Sequence, residues 1–280
     1  MATSTLAPIS LSLGAALFWG GGDYVGGITA RKTDALGMVV FAHLGGGLLA
    51  LIFAFARQSP MPAPSDLVWA AVAGSFGGLA LAAFYHALAI GKMGINSALS
   101  GMLTAAIPVA AGALWEGMPR QGQLVGFVLA IASIVLVSQP GEGNDRSAGY
   151  GYALAAGLGF GIFLLLLRLG TRNEVFWPLA VARFASSAFT FLVCVLRKRS
   201  WVPISGTFPG TIGAGVLDTF GVAMFAFAAQ LGRMDVAAVL ASLYPAVTVV
   251  LARVLLKEYL TRVQSLGVIA GLIAIALIAR

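Results

Sequence analysis

The sequence predicts an all-α integral membrane protein of ten transmembrane helices, arranged as two inverted five-helix repeats. Three observations predict it. First, the 280 residues are 59% hydrophobic and 10% charged, with a mean hydropathy of +0.95. No soluble core of this size needs so much apolar surface, whereas a bilayer accommodates it. Second, the apolar residues fall into ten runs joined by short links rich in helix breakers. Third, the second half repeats the first at an offset of 141 positions without a gap. Gly161 falls on Gly20, Arg172 on Arg31, Phe225 on Phe84, Gly232 on Gly91, Met234 on Met93 and Gly267 on Gly126. An odd number of crossings per copy makes the two copies enter the bilayer in opposite orientations.

The ten spans are placed at about 6–29, 36–56, 67–89, 95–115, 124–137, 150–169, 177–196, 211–229, 236–256 and 263–279. Most approach the roughly 20 residues that a crossing helix needs. The first follows a start, Met1 to Ile9, that has no Lys or Arg and so lacks the charged region of a secretory signal; it is expected to stay as a membrane helix. The second ends at Gln58-Ser59-Pro60-Met61-Pro62-Ala63-Pro64, which cannot continue a helix. The third opens beside Trp69 and the fourth closes at Trp115; with Trp177 and Trp201 these sit where interfacial anchors belong, while Trp19 lies well inside the first span. The fifth is the shortest, flanked by Gln121, Gln123, Ser138 and Gln139. The longest polar stretch, Ser138 through Ser147, falls where the copies join and reads as a hinge. The organisation is therefore a first repeat over 1–139, a linker over 140–149 and a second repeat over 150–280. Two later spans carry internal prolines. Pro108 frees the carbonyl of Thr104 and Pro245 that of Ala241, so both helices are expected to kink. Glycines four apart, such as Gly22/Gly26, Gly74/Gly78 and Gly157/Gly161, allow close helix contact in lipid.

The net charge of +7 resides mainly in short links, the placement of membrane-flanking charge, and calls for no nucleic-acid partner. A lone cysteine, Cys194, excludes an intrachain disulfide and a cysteine metal cluster. No Gly-x4-Gly-Lys-Ser/Thr loop is present, so the chain is not itself an ATP-driven pump.

Ionisable groups inside spans are costly and tend to face a cavity or a partner. Asp218 stands in Gly215-Val216-Leu217-Asp218-Thr219-Phe220-Gly221, and its repeat mate is Gly77, so the duplication does not require an acid there. It reads as a proton or substrate site, or as half of a buried ion pair. Arg183 heads a polar stripe with Ser186, Ser187 and Thr190 of the kind that goes with a cavity; its fork suits a substrate carboxylate or an internal bridge to Asp218 or Asp23, unless it stands exposed near the span start. Asp23 shares a face with Trp19; it reads as a seat for an ammonium group or as a surface acid paired with Arg31 or Lys32. Arg168, Arg253 and Glu116 lie near span ends and can snorkel. His43 and His86 lie on different helices with no carboxylate at ligand spacing, so no metal is expected; each reads as a structural histidine or a proton relay. Tyr244 adds a hydroxyl beside Pro245.

Leu17-Phe18-Trp19-Gly20 resembles the usual opening of the EamA family of the drug/metabolite transporter superfamily. The ninth span resembles it more closely, from Gly232 through Ala237-Ala238-Val239-Leu240-Ala241-Ser242-Leu243-Tyr244-Pro245-Ala246-Val247-Thr248, followed by Lys257-Glu258, Leu260-Thr261 and Leu266-Gly267. The first copy keeps Ala87-Leu88-Ala89-Ile90-Gly91 and Glu116, and departs at Thr104, where the second copy has Pro245. The resemblance implies a secondary transporter of small organic metabolites such as amino acids, an exporter in the plasma (inner) membrane. It would work by alternating access as an exchanger or with protons as the coupling ion, without a cofactor. It also implies a cavity lined by the first, third, fourth, sixth, eighth and ninth spans. The site is expected at Asp218, Arg183, Trp19, Tyr244, Asp23 and His86. An acid, an arginine and aromatic walls suit a zwitterion. The family usually keeps both termini in the cytoplasm, whereas the Lys and Arg count places the larger basic set, including Arg31, Lys32 and Arg197-Lys198-Arg199, on the side opposite the termini. A membrane enzyme acting on lipid or prenyl substrates would need paired carboxylates or a His–acid set, and the acids here are scattered. A non-transporting scaffold would tolerate loss of the buried charges.

Overall fold

The computed structural model describes residues 6–116, 121–137, 148–232, 234–257 and 261–278, and within them every regular element is a helix. The helices are α1 (Leu6–Ala30), α2 (Ala35–Ala56), α3 (Pro64–Ile90), α4 (Met93–Glu116), α5 (Gln121–Val137), α6 (Tyr150–Gly170), α7 (Phe176–Leu196), α8 (Phe208–Leu231), α9 (Met234–Ala241), α10 (Tyr244–Leu255) and α11 (Arg262–Ile278). The polar stretch expected to form the hinge (138–147) lies outside the described residues, as do Arg120, Arg146, Arg233, Glu258 and Arg280 and the side chains of Trp115 and Glu116.

Local chemistry sets the helix ends. Asp34 caps α2, its side chain accepting from the Leu36 N–H at 2.9 Å. Proline occupies the first turn of α3 and of α8, where no N–H is missed. The repeat mates Gly91 and Gly232 close α3 and α8 alike, donating to Ala87 O at 3.1 Å and to Ala228 O at 2.9 Å.

Among the described residues, seven segments are long and apolar enough to cross a membrane by length and composition: α2, α3, α4, α6, α7, α8 and the α9–α10 pair taken together. The 25-residue α1 is not among them; six glycines, Asp23 and two serines dilute its apolar content. Helices α5 and α11 have 17 residues each, and their apolar windows are shorter still. The polarity of the bundle is that of a protein in lipid. Leu17, Leu48, Ile52, Phe55, Leu196 and Val254 are exposed, while Ser97, Ser100, Thr190, Thr211 and Ser242 are buried.

Three helices of the first half, α2, α4 and α5, pair with their equivalents in the second half and run antiparallel to them. On α2 and α7, Val40 meets Ser187, His43 meets Ser186 and Phe55 meets Trp177. On α4 and α10, Gly94 lies against Val249 and Gly101 against Pro245; on α5 and α11, Ser133 bonds Gly267 O and Gly122 lies near Leu277. The remaining large contacts are reciprocal: α1 packs on α8 as α6 packs on α3, and α3 packs on α7 as α8 packs on α2. Gly74 and Gly215, again repeat mates, make the last two contacts possible. A methyl group at Gly74 would overlap the backbone of Ala182, and one at Gly215 the backbone of Ala42.

The ninth span is broken where a kink was expected. Helix α9 stops at Ala241 and α10 starts at Tyr244. Pro245 has no N–H for the Ala241 carbonyl, and the chain tightens instead: the Leu243 N–H donates to Leu240 O at 3.2 Å and the Ala246 N–H to Leu243 O at 2.9 Å. The first-half counterpart α4 continues through Pro108 as one helix.

Candidate functional site

The reciprocal packing of α2, α7 and α8 brings three ionisable side chains together. Arg183 on α7 places Nη1 2.7 Å from Asp218 Oδ2 on α8. His43 on α2 lies between them, its Nε2 2.8 Å from Arg183 Nη1 and 3.1 Å from Asp218 Oδ2. Its Nδ1 is 2.5 Å from Ser186 Oγ on α7. One arrangement of protons engages both hydrogens of Nη1: Nη1 donates one hydrogen to the carboxylate and the other to the Nε2 lone pair, while Nδ1–H donates to Ser186. The Arg183 Nε and Nη2 atoms are buried without a partner among the described residues. The side chains of His43 and Arg183 are 2% and 5% exposed and that of Asp218 is 14%, so the carboxylate is the member of the cluster that a solute reaches most readily.

The polar stripe below Arg183 does not face a cavity. Ser187 donates to Val40 O at 2.9 Å and Thr190 to Ser186 O at 2.8 Å, so the stripe fastens α7 to α2 and to itself. This is the usual fate of buried hydroxyls in a helix pair.

Asp218 opens into a cavity of about 40 Å³. Its walls come from α1 (Trp19, Asp23), α3 (Leu81), α4 (Thr104), α6 (Phe160, Phe163, Leu164), α8 (Asp218, Val222) and α10 (Tyr244). These are the six spans expected to line it. A smaller neighbouring pocket of about 20 Å³ contains His43 and Arg183 and shares Leu81, Phe160, Phe163 and Asp218 with the first. Asp23, which the sequence left between cavity and surface, is buried in the cavity wall, and its Oδ2 has no hydrogen-bond partner among the described residues. Trp19 and Tyr244 meet edge to face at 6.2 Å. Tyr244 meets Phe84 at 6.2 Å, and Phe84 meets Phe160 at 5.6 Å, both again edge to face. The Tyr244 hydroxyl lies 3.3 Å from Ser100 Oγ.

Five of the six residues singled out in the sequence thus fall around these two pockets. His86 does not: it is on the side of α3 that meets α6, with its ring edge-on to Tyr152 at 4.7 Å, and it lines neither pocket. Three residues of the site were not selected from the sequence. His43 had been left ambiguous because its partners are 140 and 175 positions away. Phe160 carried a usable signal, being the repeat mate of Trp19. Phe163 had none, since its mate is Gly22.

Comparison with known proteins agrees with this architecture. A solved crystal structure superposes with a TM-score of 0.71 at 16% identity, covering 98% of this chain and 96% of the other, which shows the same fold. No curated protein matches the chain. The model of the EamA-like transporter family matches twice, over residues 6–139 and again over 147–280, and therefore nearly end to end. The chain is a member of the EamA-like transporter family, a multi-pass membrane protein built from two copies of that family's repeat.

Proposed function

We propose that the chain is a secondary transporter that moves small organic metabolites bearing an amino group, amino acids being the class its sequence suggested, outward across the plasma membrane by alternating access. The observation that carries this reading is the cavity itself: six helices from both halves enclose a buried carboxylate (Asp23) with an open acceptor, beside an Asp218–Arg183–His43 cluster. Buried charge in a membrane bundle is costly to retain, and a solute path is the common reason for retaining it.

The topology proposed is ten spans in two inverted repeats, divided at the polar stretch around 140–149. Antiparallel pairing of α2 with α7, α4 with α10 and α5 with α11 supports it, because equivalent helices of two inverted copies must run in opposite directions. On this reading α1, α5 and α11 cross the bilayer although their composition alone does not mark them. Asp218 and Arg183 hold the polar end of the solute, Asp23 its ammonium group, and Trp19 and Tyr244 its apolar body. Exchange of solutes or of a proton drives the cycle.

The test is counterflow in proteoliposomes. Vesicles preloaded with a candidate solute should accumulate its labelled form transiently when they contain the wild-type protein. Vesicles with the Asp218→Asn protein should not. Equal counterflow by both would remove Asp218 from the mechanism, and no counterflow for a broad panel of amino acids, amines, sugars and cationic drugs would remove the transporter reading.

A further inference from the structure

The charges around the main cavity do not balance. Its lining supplies two carboxyl groups, Asp23 and Asp218, and no basic side chain. Arg183 compensates one of them, with Nη1 2.7 Å from Asp218 Oδ2, but it lines the neighbouring pocket and not this one. His43 is the third member of that cluster and leaves Asp23 untouched. Asp23 is 7% exposed, and its Oδ2 has no partner among the described residues. One acid is therefore left over, buried in the cavity wall and without a basic partner among the described residues.

The remaining walls sharpen the selection. Trp19, Tyr244, Phe160 and Phe163 surround the acids, and the edge-to-face chain from Trp19 through Tyr244 and Phe84 to Phe160 holds three of these rings in fixed relation. Aromatic faces attract cations and repel anions. Of the donors in the lining, the Thr104 hydroxyl already bonds Ser100 O and the Tyr244 hydroxyl Ser100 Oγ, so a solute carboxylate would find at most the Trp19 indole N–H, with two carboxyl groups nearby. A free ammonium group meets an open acceptor and four rings.

On the transporter reading above, we infer that this cavity takes a monovalent organic cation, an ammonium group on an aromatic or branched apolar body without a carboxylate, with Asp23 as its counter-ion. Simple amines and quaternary ammonium compounds are then preferred over the amino acids that share their side chains.

Three probes on one scaffold test it: trimethyl(2-phenylethyl)ammonium, phenylalanine and 3-phenylpropionate. The first is permanently charged and does not leak across vesicles as a neutral amine. Counterflow in proteoliposomes and the thermal stability of the purified protein are measured for each. The ammonium probe should exchange and raise the melting temperature, and the other two should do neither at the same concentration. Asp23→Asn should weaken the ammonium response at least about tenfold. If that variant does not fold, the ranking of the three probes on the wild-type protein decides alone. Exchange of phenylalanine in preference to the ammonium probe overturns the charge assignment and leaves the transporter reading standing. An Asp23→Asn protein that handles the ammonium probe like wild type overturns the counter-ion role. If none of the three exchanges while other solutes do, the substrate class is wrong and the transporter reading survives; if nothing in the wider panel exchanges, both fall.

Discussion

Arg183, Asp218 and His43 form a closed triangle of contacts between 2.7 and 3.1 Å, so the effect of removing one member depends on what the others are left with. Asp218→Asn strands a buried guanidinium and is expected to lower stability by about 3–5 kcal/mol as well as abolish transport. Adding Arg183→Gln removes the stranded charge. The double variant is expected to regain most of that stability while staying inactive, which thermal denaturation and counterflow together would show; a double variant as unstable as the single one would mean that the pair is not coupled. At this scale the sequence was legible where a polar residue interrupts an apolar run, as at Asp218, Arg183 and Asp23. It was not legible where the question is which helix that residue faces. Nothing in the neighbours of His43 announces an arginine on α7, and nothing around His86 says that it faces Tyr152 and not the cavity.

Glycine usage separates into two kinds at the scale of helices. Gly74 and Gly215 touch a neighbouring backbone, whereas a methyl group at Gly213 would have nothing within 4 Å. Gly74→Ala or Gly215→Ala is therefore expected to destabilise by about 1–3 kcal/mol or more, since backbone cannot step aside as a side chain can. Gly213→Ala, inside α8, is expected to stabilise by about 0.5–1 kcal/mol. Melting temperatures of the three proteins would check both signs. Sequence spacing marked Gly74 as a contact residue, and the 141-position offset carries that mark to Gly215, whereas Gly213 falls on Val72. The break between α9 and α10 was half legible. Pro245 guarantees a lost hydrogen bond, but whether the helix bends or stops is decided by what packs on it, and here Gly20 and Gly101 bring α1 and α4 against residues 242–247.

For the whole molecule, the duplication at an offset of 141 positions was the strongest signal, and the double family match follows it. The number of spans was less legible than their arrangement, because α1 trades apolar residues for glycine in order to pack against α8 and the ninth span. In a Cys194→Ala background, single cysteines at Arg31 and Arg172 are expected to react with an impermeant reagent from opposite sides of the membrane; labelling from one side would refute the inverted arrangement. The two halves nevertheless differ where it matters for a moving solute. Positions 42, 43 and 77 of the first half are Ala, His and Gly, and their counterparts in the second half are Arg183, Phe184 and Asp218. Two indistinguishable halves would give inward- and outward-open forms of equal energy, mirror images with matching affinity. On the alternating-access reading, unequal residues at these three pairs lift that degeneracy, so a resting carrier would lean toward one side and bind its cargo more tightly from one face than from the other.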